Sequence, residues 1–496
     1  MSFQSIRRYF YELHLWLGIV SGIIVFVVCL SGAVLVFQDE ARQIAEPSKY
    51  LVKVPADVTP IQIDELIAKV ETAKPDMKVG MLTIPEKKNR TVIMALTPVV
   101  QEEQEEIGQR PEGIRGDGRG ERGQRPEGMR GEGRGERPEG MRGEGRGERG
   151  QGPQRGMENR QGRPGESPKT SGPGGHGARG RNNVYVNPYT GDIAGEGTNV
   201  VDPFFMSTML LHRFLWFSGQ WTWVGKQIVG WATLIFIVVC LTGIVLWLPR
   251  TWSAFGKWKA WKPGLKIRFK KGIWPFLYDT HNTVGIYMLV PALILALTGL
   301  CWSFAWYRDG ASQVLGDQVF KQRMQRPEMI EPVANDATPF DVGEILAKQE
   351  ELTPGPGEIM VSIPQDKESA MVVQKGRTGF FSVALKDKTQ WDRFRGTVIP
   401  VEHFGKTVAV ERFADKPFGA QIASSIRALH LGNVTGMSSK ILFFIACIFA
   451  TSWPATGVAL WVKKLRVKRA AKKRAEKSEV LVPPQTESPV KASPAD

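Results

Sequence analysis

Cysteine is scarce in this chain of 496 residues, and its positions exclude several kinds of site. Four cysteines are present, and each lies inside a long apolar run of the sequence. This placement leaves no disulfide framework, no Cys-x-x-Cys-His motif for covalent haem and no thiolate set for zinc. We therefore expect free thiols that pack as small apolar side chains. They are Cys29, Cys240, Cys301 and Cys447.

Acidic residues are absent from segment 250–271, which carries eight lysines and arginines. The net charge of +15 could indicate a nucleic-acid partner. We reject that interpretation because the positive charge is concentrated beside the apolar runs, as in membrane proteins. The expected partner of these basic flanks is membrane lipid.

Four apolar runs are long enough to cross a bilayer core, which needs about 20 residues of helix. The first run is long and lacks a small-residue cleavage site, so it predicts an uncleaved anchor. Basic residues flank the runs at 7–8, 250–271 and 463–469, which predicts that both termini and the middle loop are cytoplasmic. The long stretches 40–200 and 308–420 are then periplasmic. The four runs are 15–37, 225–248, 284–307 and 439–462.

The chain contains an internal duplication. Runs one and three share a His, a Gly four residues later and a Ser/Thr-Gly pair that begins seventeen residues after the His. Runs two and four share a Lys followed sixteen residues later by Thr-Gly. Both halves begin on the same side, so they predict a pseudo-twofold axis along the membrane normal. In runs one and three, His14, Gly18 and Ser31-Gly32 match His281, Gly285 and Thr298-Gly299 in that order. In runs two and four, Lys226 and Thr242-Gly243 match Lys440 and Thr456-Gly457.

The two outer stretches repeat as well. In each, a Thr-Pro pair, with Pro60 or Pro339, predicts a short helix with proline in its first turn, followed by strands. The predicted hairpins join 91–96 to 184–186 and 370–373 to 380–385. The first is interrupted by an Arg-, Gly- and Glu-rich insertion at about 100–181, which we expect to be disordered.

The fold class predicted is membrane α-helical: two tandem repeats, each a helix pair that brackets a small periplasmic α+β lobe. The predicted segments, in order, are helix one at 1–40, lobe one at 41–205, helix two at 206–249, a cytoplasmic loop at 250–280, helix three at 281–308, lobe two at 309–420, helix four at 421–463 and a cytoplasmic tail at 464–496.

Histidine is also rare, with six in the chain. His176 lies in the insertion and His403 in the second outer stretch. The other four lie near predicted membrane ends and match in pairs, His14 with His281 on the inner side and His212 with His430 on the outer side. Two histidines from different helices can bind one haem iron inside a bundle. The pattern therefore predicts two sites on opposite membrane faces.

Alternatives remain at these positions. Histidines at helix ends can simply reach toward water, and four could bind zinc or copper, although two ligands per site are few. Gly18 and Gly285 could admit a flat macrocycle or serve close helix packing. Arg213 and Arg427 are candidates for a haem propionate or for lipid headgroups.

At this point the sequence resembles a known family. The stretches that carry the resemblance are YELHLWLG at 11–18, DTHN at 279–282 and VNPYTGD at 186–192, with the Ser/Thr-Gly pairs and Leu429-His430. They resemble the PepSY-associated transmembrane proteins, which include iron-regulated inner-membrane reductases of ferric siderophores. The resemblance implies b-type haem held by membrane histidines and electron passage toward a periplasmic ferric chelate.

No Gly-rich dinucleotide fingerprint follows a strand, so the electron donor would be a quinol or a separate cytoplasmic reductase. The leading hypothesis is a ferric-siderophore reductase of the bacterial inner membrane with two haem b groups. The alternatives are a non-redox PepSY sensor or scaffold that binds peptides or restrains a protease, and a siderophore or metal permease. Four unbroken helices argue against transport.

Overall fold

The computed structural model describes residues 3–99, 182–269, 271–320, 333, 337–376 and 386–480. Within them, four stretches of helix are long and apolar enough to cross a membrane: Gln4–Val36, Gly219–Trp247, Ile273–Ser303 and Met437–Glu476. They match the four predicted apolar runs. The cysteines are free, with Cys240, Cys301 and Cys447 buried and Cys29 half-buried.

The helices fall into a long apolar set and a set of shorter connecting pieces. The long helices are α1 (Phe3–Val36), α6 (Thr222–Trp247), α9 (Gly285–Ser303) and α13 (Met437–Val480). The shorter ones are α2 (Gln38–Ala45), α3 (Pro47–Tyr50), α4 (Ile63–Ala73), α5 (Asp202–Phe214), α7 (Trp258–Trp261), α8 (Ile273–Asp279), α10 (Ala305–Leu315), α11 (Val342–Leu352) and α12 (Phe418–His430).

The long helices pack side by side around small and aromatic residues. Helix α1 packs on both α6 and α13, and α9 also packs on both. The centre of this bundle is a buried cluster around Val25, Phe236, Ala292 and Ala450. Trp453 packs against the cluster, with its ring stacked on Phe236 at a centroid distance of 6.1 Å. Small residues let helices approach closely where no hydrophobic effect drives their association.

The two long stretches between the membrane helices, 40–200 and 308–420, form one sheet of nine strands among the described residues. Its order is β11-β7-β6-β5-β1-β2-β3-β4, with β8 paired to β7, and all these pairs are antiparallel. The strands are β1 (Met77–Ile84), β2 (Val92–Pro98), β3 (Asn183–Val186), β4 (Ile193–Glu196), β5 (Ile359–Ser362), β6 (Met371–Gly376), β7 (Lys386–Asp392), β8 (Thr397–Val398) and β11 (Val410–Glu411). A separate hairpin joins β9 (Val401–His403) to β10 (Lys406–Val408).

The two predicted lobes are therefore joined. Strand β1 of the first stretch pairs with β5 of the second, with Leu82 opposite Val361. One apolar core fills both, and its fully buried members include Leu66 and Ile345 from helices α4 and α11. The first turn of helix α11 is also bound by the first stretch, because the Asp64 carboxylate accepts hydrogen bonds from the backbone N–H groups of Val342 and Gly343 at 2.7 and 2.8 Å. The prediction was of one lobe in each stretch, whereas the two stretches share one sheet and one core.

Several predicted boundaries differ from those observed. Helix α13 continues to Val480, past the predicted end of helix four at 463 and into the predicted tail. Proline does not lie in the first turn of α4 or α11, which begin three residues after Pro60 and Pro339. The hairpin of 91–96 with 184–186 is present as β2 and β3. The insertion at about 100–181 and the strand at 380–385 lie outside the described residues.

Candidate functional site

The structure brings the four matched histidines together in two facing pairs. The ring centroids of His14 and His281 are 6.2 Å apart, and those of His212 and His430 are also 6.2 Å apart. Two imidazoles that bind one metal ion from opposite sides place their centres about 6 Å apart, given metal–nitrogen bonds of about 2.0–2.1 Å. The pairs therefore fit a metal centre with two axial ligands.

The two histidines of the first pair lie in different kinds of helix. His14 lies on α1, one turn after its neighbours Tyr11 and Phe10. His281 lies in a π-helical turn, Thr280–Val284, between α8 and α9. Such turns re-aim side chains and are frequent at functional sites. Just before it, the buried Asp279 carboxylate accepts two hydrogen bonds from the Arg268 side chain, at 2.6 and 2.8 Å, which fixes the start of this turn.

The second pair lies on short helices that precede the long ones. His212 is near the end of α5, where the next residues, Leu215 and Trp216, have positive φ angles of 51° and 61° and end the helix. His430 is the last residue of α12, whose Ala423 and Ile426 pack in a buried cluster with Cys301. The Trp302 ring lies 5.0 Å from the His430 ring. Although both histidines lie at the ends of short helices, the position of the His430 ring is fixed by packing against its neighbours.

Each histidine is held by a Ser/Thr-Gly pair on a neighbouring helix of the same half. His14 Nδ1 lies 3.0 Å from the hydroxyl of Thr242, and His281 Nδ1 lies 2.9 Å from that of Thr456. In the second pair, His212 Nδ1 lies 3.2 Å from the hydroxyl of Ser31, and His430 Nδ1 lies 3.1 Å from that of Thr298.

The direction of these hydrogen bonds can be assigned from the network. Each of the four hydroxyls donates to a carbonyl three or four residues earlier in its own helix, so it can only accept from the ring. The Nδ1 of His14, His212 and His430 also lies 2.9–3.1 Å from a backbone carbonyl, which is an acceptor only. Nδ1 therefore carries the proton, and Nε2 keeps the lone pair that binds a metal.

The glycine of each pair makes space for the ring. A Cβ atom at Gly299 would lie 3.0 Å from His430 Cε1, and one at Gly32 would lie 3.1 Å from His212 Cε1. The corresponding distances at Gly243 and Gly457 are 3.4 and 3.5 Å. In the sequence the Ser/Thr-Gly pairs indicated only the duplication, and their contact with the histidines was not predicted. The spacing could have predicted this contact. Ser31 and Thr298 each follow a histidine of the first pair by seventeen residues, which places them at the other end of the helix, where the second histidine pair is expected.

Gly18 and Gly285 behave differently. A Cβ atom at either position would meet no heavy atom within 4 Å. A glycine kept for close helix packing would have a neighbour there, so the packing interpretation has no contact to support it. Both lie one helical turn after a histidine of the first pair, on helices that carry the site. This fits the interpretation that they admit a flat group beside the ring.

The donor set limits which metals fit. Among the described residues, no group of three or more His, Cys, Asp and Glu side chains could hold a metal ion. Zinc or copper would have only two protein ligands at each pair, fewer than the three or four that such sites use. Iron in a macrocycle needs two, since the macrocycle supplies four nitrogens. His403, in β9, faces Glu411 at 3.8 Å and belongs to neither pair.

Fold and site together define an integral membrane protein of four helices with a sheet-containing region of PepSY type. A family model described as PepSY-associated TM region matches residues 11–464, and the chain belongs to this family. No protein of curated function matches the chain.

Proposed function

We propose that this protein is a dihaem electron-transfer protein of the bacterial inner membrane that reduces a ferric siderophore or another ferric chelate on the periplasmic side. The observation that carries the proposal is the geometry of the two facing histidine pairs, with Nδ1 occupied in all four rings. One bound metal ion per pair would account for two imidazole rings held 6.2 Å apart twice in the same chain. Haem b, when bound, would supply the one-electron redox chemistry.

The residues of the chain have distinct parts in this proposal. His14 and His281 would hold the inner haem, and His212 and His430 the outer one. Ser31, Thr242, Thr298 and Thr456 fix the ring orientations and tautomers, which raises the basicity of the ligating nitrogens. The apolar cluster between the pairs excludes water from the middle of the bundle. Along α1, His14 and Ser31 are seventeen residues apart, or about 25 Å, so the sites lie near opposite faces.

The proposed topology follows from the basic flanks and the duplication. Both termini and the loop 250–271 would be cytoplasmic, the sheet region periplasmic, and the two halves tandem repeats about a pseudo-twofold axis. A quinol on the inner side would give up two electrons and two protons, and each electron would reduce one ferric ion to the ferrous state. A cytoplasmic reductase could supply the same electrons one at a time.

The experiment that tests the proposal is an absorption spectrum of the detergent-purified protein, oxidised and then reduced with dithionite, with haem quantified per chain. We expect the spectrum of six-coordinate b-type haem and two haems per chain. A colourless protein from cells supplied with iron and haem precursor would overturn the proposal. If the purified protein contains haem but reduces no ferric chelate, the assigned substrate would be wrong, while the proposal of electron transfer would stand.

A second candidate is the non-redox role in which the sheet region binds a ligand. It is favoured by a cavity of about 300 Å³ between α4 and α11. The Nε atom of Arg393 is buried there without a hydrogen-bond partner among the described residues. A colourless protein whose Arg393→Gln variant loses binding of a peptide or small anion would support this candidate.

Gly285 offers a separate test of the inner site. We expect Gly285→Leu to lower the inner haem content, because the new side chain would occupy the face beside His281 where a macrocycle approaches. The haem-free protein should keep its thermal stability, since no protein atom lies within 4 Å of the added Cβ. The matched control is Gly256→Leu, at an equally open glycine in the loop. Equal haem loss in both variants would contradict this role for Gly285.

A further inference from the structure

Three cations from three different elements lie near the start of helix α6. Lys226 is placed beside the end of α5, because the neighbouring Gly225 touches the backbone of Phe214: a Cβ there would lie 2.0 Å from its carbonyl oxygen. Arg213 is the residue before that contact. The cation cluster is defined as Arg213, Lys226 and Arg308.

Arg308 is brought in by helix packing. A Cβ at Gly230 would lie 2.6 Å from the Phe304 ring, and the Trp231 and Phe304 rings are 5.6 Å apart. Arg308 follows Phe304 by one turn and donates its N–H to the Phe304 carbonyl at 3.2 Å. Gly230 is one turn from Lys226 on α6, as Phe304 is from Arg308, so this contact brings the two cations toward the same end of the helix. Arg213 directly follows His212 in the last turn of α5, so the cluster adjoins the outer histidine pair.

The cluster has little acid to balance it. Among the described residues, the acid in ion-pair contact with it is Asp309, 3.5 Å from Arg308, with a side chain 66% exposed. An exposed pair of neighbouring residues contributes little. Three cations at the edge of a membrane bundle repel one another and are costly to desolvate, so such groups are expected to be paired or functional.

The other half of the chain shows what a balanced version looks like. Lys440, at the position that matches Lys226, forms an ion pair with Glu40 at 2.7 Å, and Asp39 lies 3.9 Å away. Asp39 and Glu40 are seven and eight residues after Gly32; the matching residues after Gly299 are Trp306 and Tyr307, and Arg308 follows them. Aromatic residues and then a base therefore stand near Lys226, where acids stand near Lys440.

We propose that Arg213, Lys226 and Arg308 bind the carboxylates of the outer haem, the one assigned to His212 and His430. This inference rests on the proposed function. Haem b carries two propionate groups, and carboxylates are the anions that arginine binds with paired hydrogen bonds. Positive charge beside a haem also stabilises its reduced form, which raises its potential and favours electron flow from the inner site to the outer one.

The charges near the inner pair are arranged differently. Arg268 is paired with the buried Asp279, two residues before His281, and the Lys464 ammonium lies 3.8 Å from the centre of the Tyr11 ring, one turn before His14. The two sites are therefore alike in their ligands and different in their surroundings. A difference in haem potential between them is the measurable consequence.

The test is a redox titration in the His14→Ala background, where only the outer haem is expected to remain. Removing charge stepwise, with Arg213→Gln and then with Lys226→Gln and Arg308→Gln added, should shift the midpoint potential downward at each step and lower haem content in the triple variant. Arg213→Lys should recover part of the shift, because it restores the charge without the paired hydrogen bonds. The matched control is the double variant Glu40→Gln with Lys440→Gln, which should leave the potential unchanged.

The outcomes separate this inference from the function on which it rests. Haem at full content with an unshifted potential in all cation variants would overturn the inference and leave the dihaem proposal intact. A rise in KM confined to anionic ferric chelates, with potentials unshifted, would also overturn it and assign the cluster to the substrate. Absence of haem from the unmodified protein would overturn both this inference and the dihaem proposal.

Discussion

The variants His14→Ala and His212→Ala are each expected to lose one haem, and to lose different ones. Each pair would hold a haem by one ring from each of two helices, so removing one ring would remove half of the protein's bonds to that haem. Among the predictions for the site, this change should have the largest effect: haem per chain falls from two to one. The double variant should be colourless. Haem quantification with reduced-minus-oxidised spectra measures it.

The control for this series is His403→Ala. His403 lies in the sheet region, outside both pairs, so its loss should leave both haems in place. If His14→Ala and His212→Ala removed the same spectral component, the two-site arrangement would be wrong. If His281→Ala matched His212→Ala rather than His14→Ala, the pairing across the two halves would be wrong.

The variant Leu82→Ala should destabilise both outer stretches at once. Leu82 is fully buried in β1, opposite Val361 of β5, inside the core that the two stretches share. Truncating a buried leucine costs about 2–5 kcal/mol through lost transfer free energy and the cavity left behind. Hydrogen exchange should therefore accelerate in β6 and α11 as well as in β1 and α4, although the substitution lies in the first stretch.

Leu51→Ala is the control, because Leu51 is 42% exposed and its truncation removes little buried surface. It should leave exchange rates in both stretches unchanged. Faster exchange limited to β1–β4 after Leu82→Ala would mean that the two stretches unfold independently, as separate lobes would.

The membrane helices could be predicted well from the sequence, because a bilayer demands a long apolar run with basic flanks and the signal is local. The pairing of His14 with His281 and of His212 with His430 could be predicted because the duplication supplied a symmetry relation. Neither step needed knowledge of side-chain packing. The structure places all four residues as the duplication suggested, whereas their role as haem ligands stays a prediction.

Other features had no local signal. The contact of β1 with β5 joins strands almost 280 residues apart, and nothing in either strand specifies its edge partner. The π-helical turn at His281 depends on how α8 meets α9. The extension of α13 beyond residue 463 was missed because its charged residues were interpreted as a solvated tail, although lysine, arginine, alanine and glutamate are good helix formers.

The contacts of the histidines have a consequence for how such a chain could arise. Every Ser/Thr-Gly pair holds a histidine of its own half, whereas the facing histidine comes from the other half. Each half thus supplies, and itself holds, one histidine of each facing pair. Two identical copies of such a half, related by a twofold axis, would form both pairs. We infer that the chain corresponds to two such copies joined end to end, which differ in charge, with acids beside Lys440 and bases near Lys226.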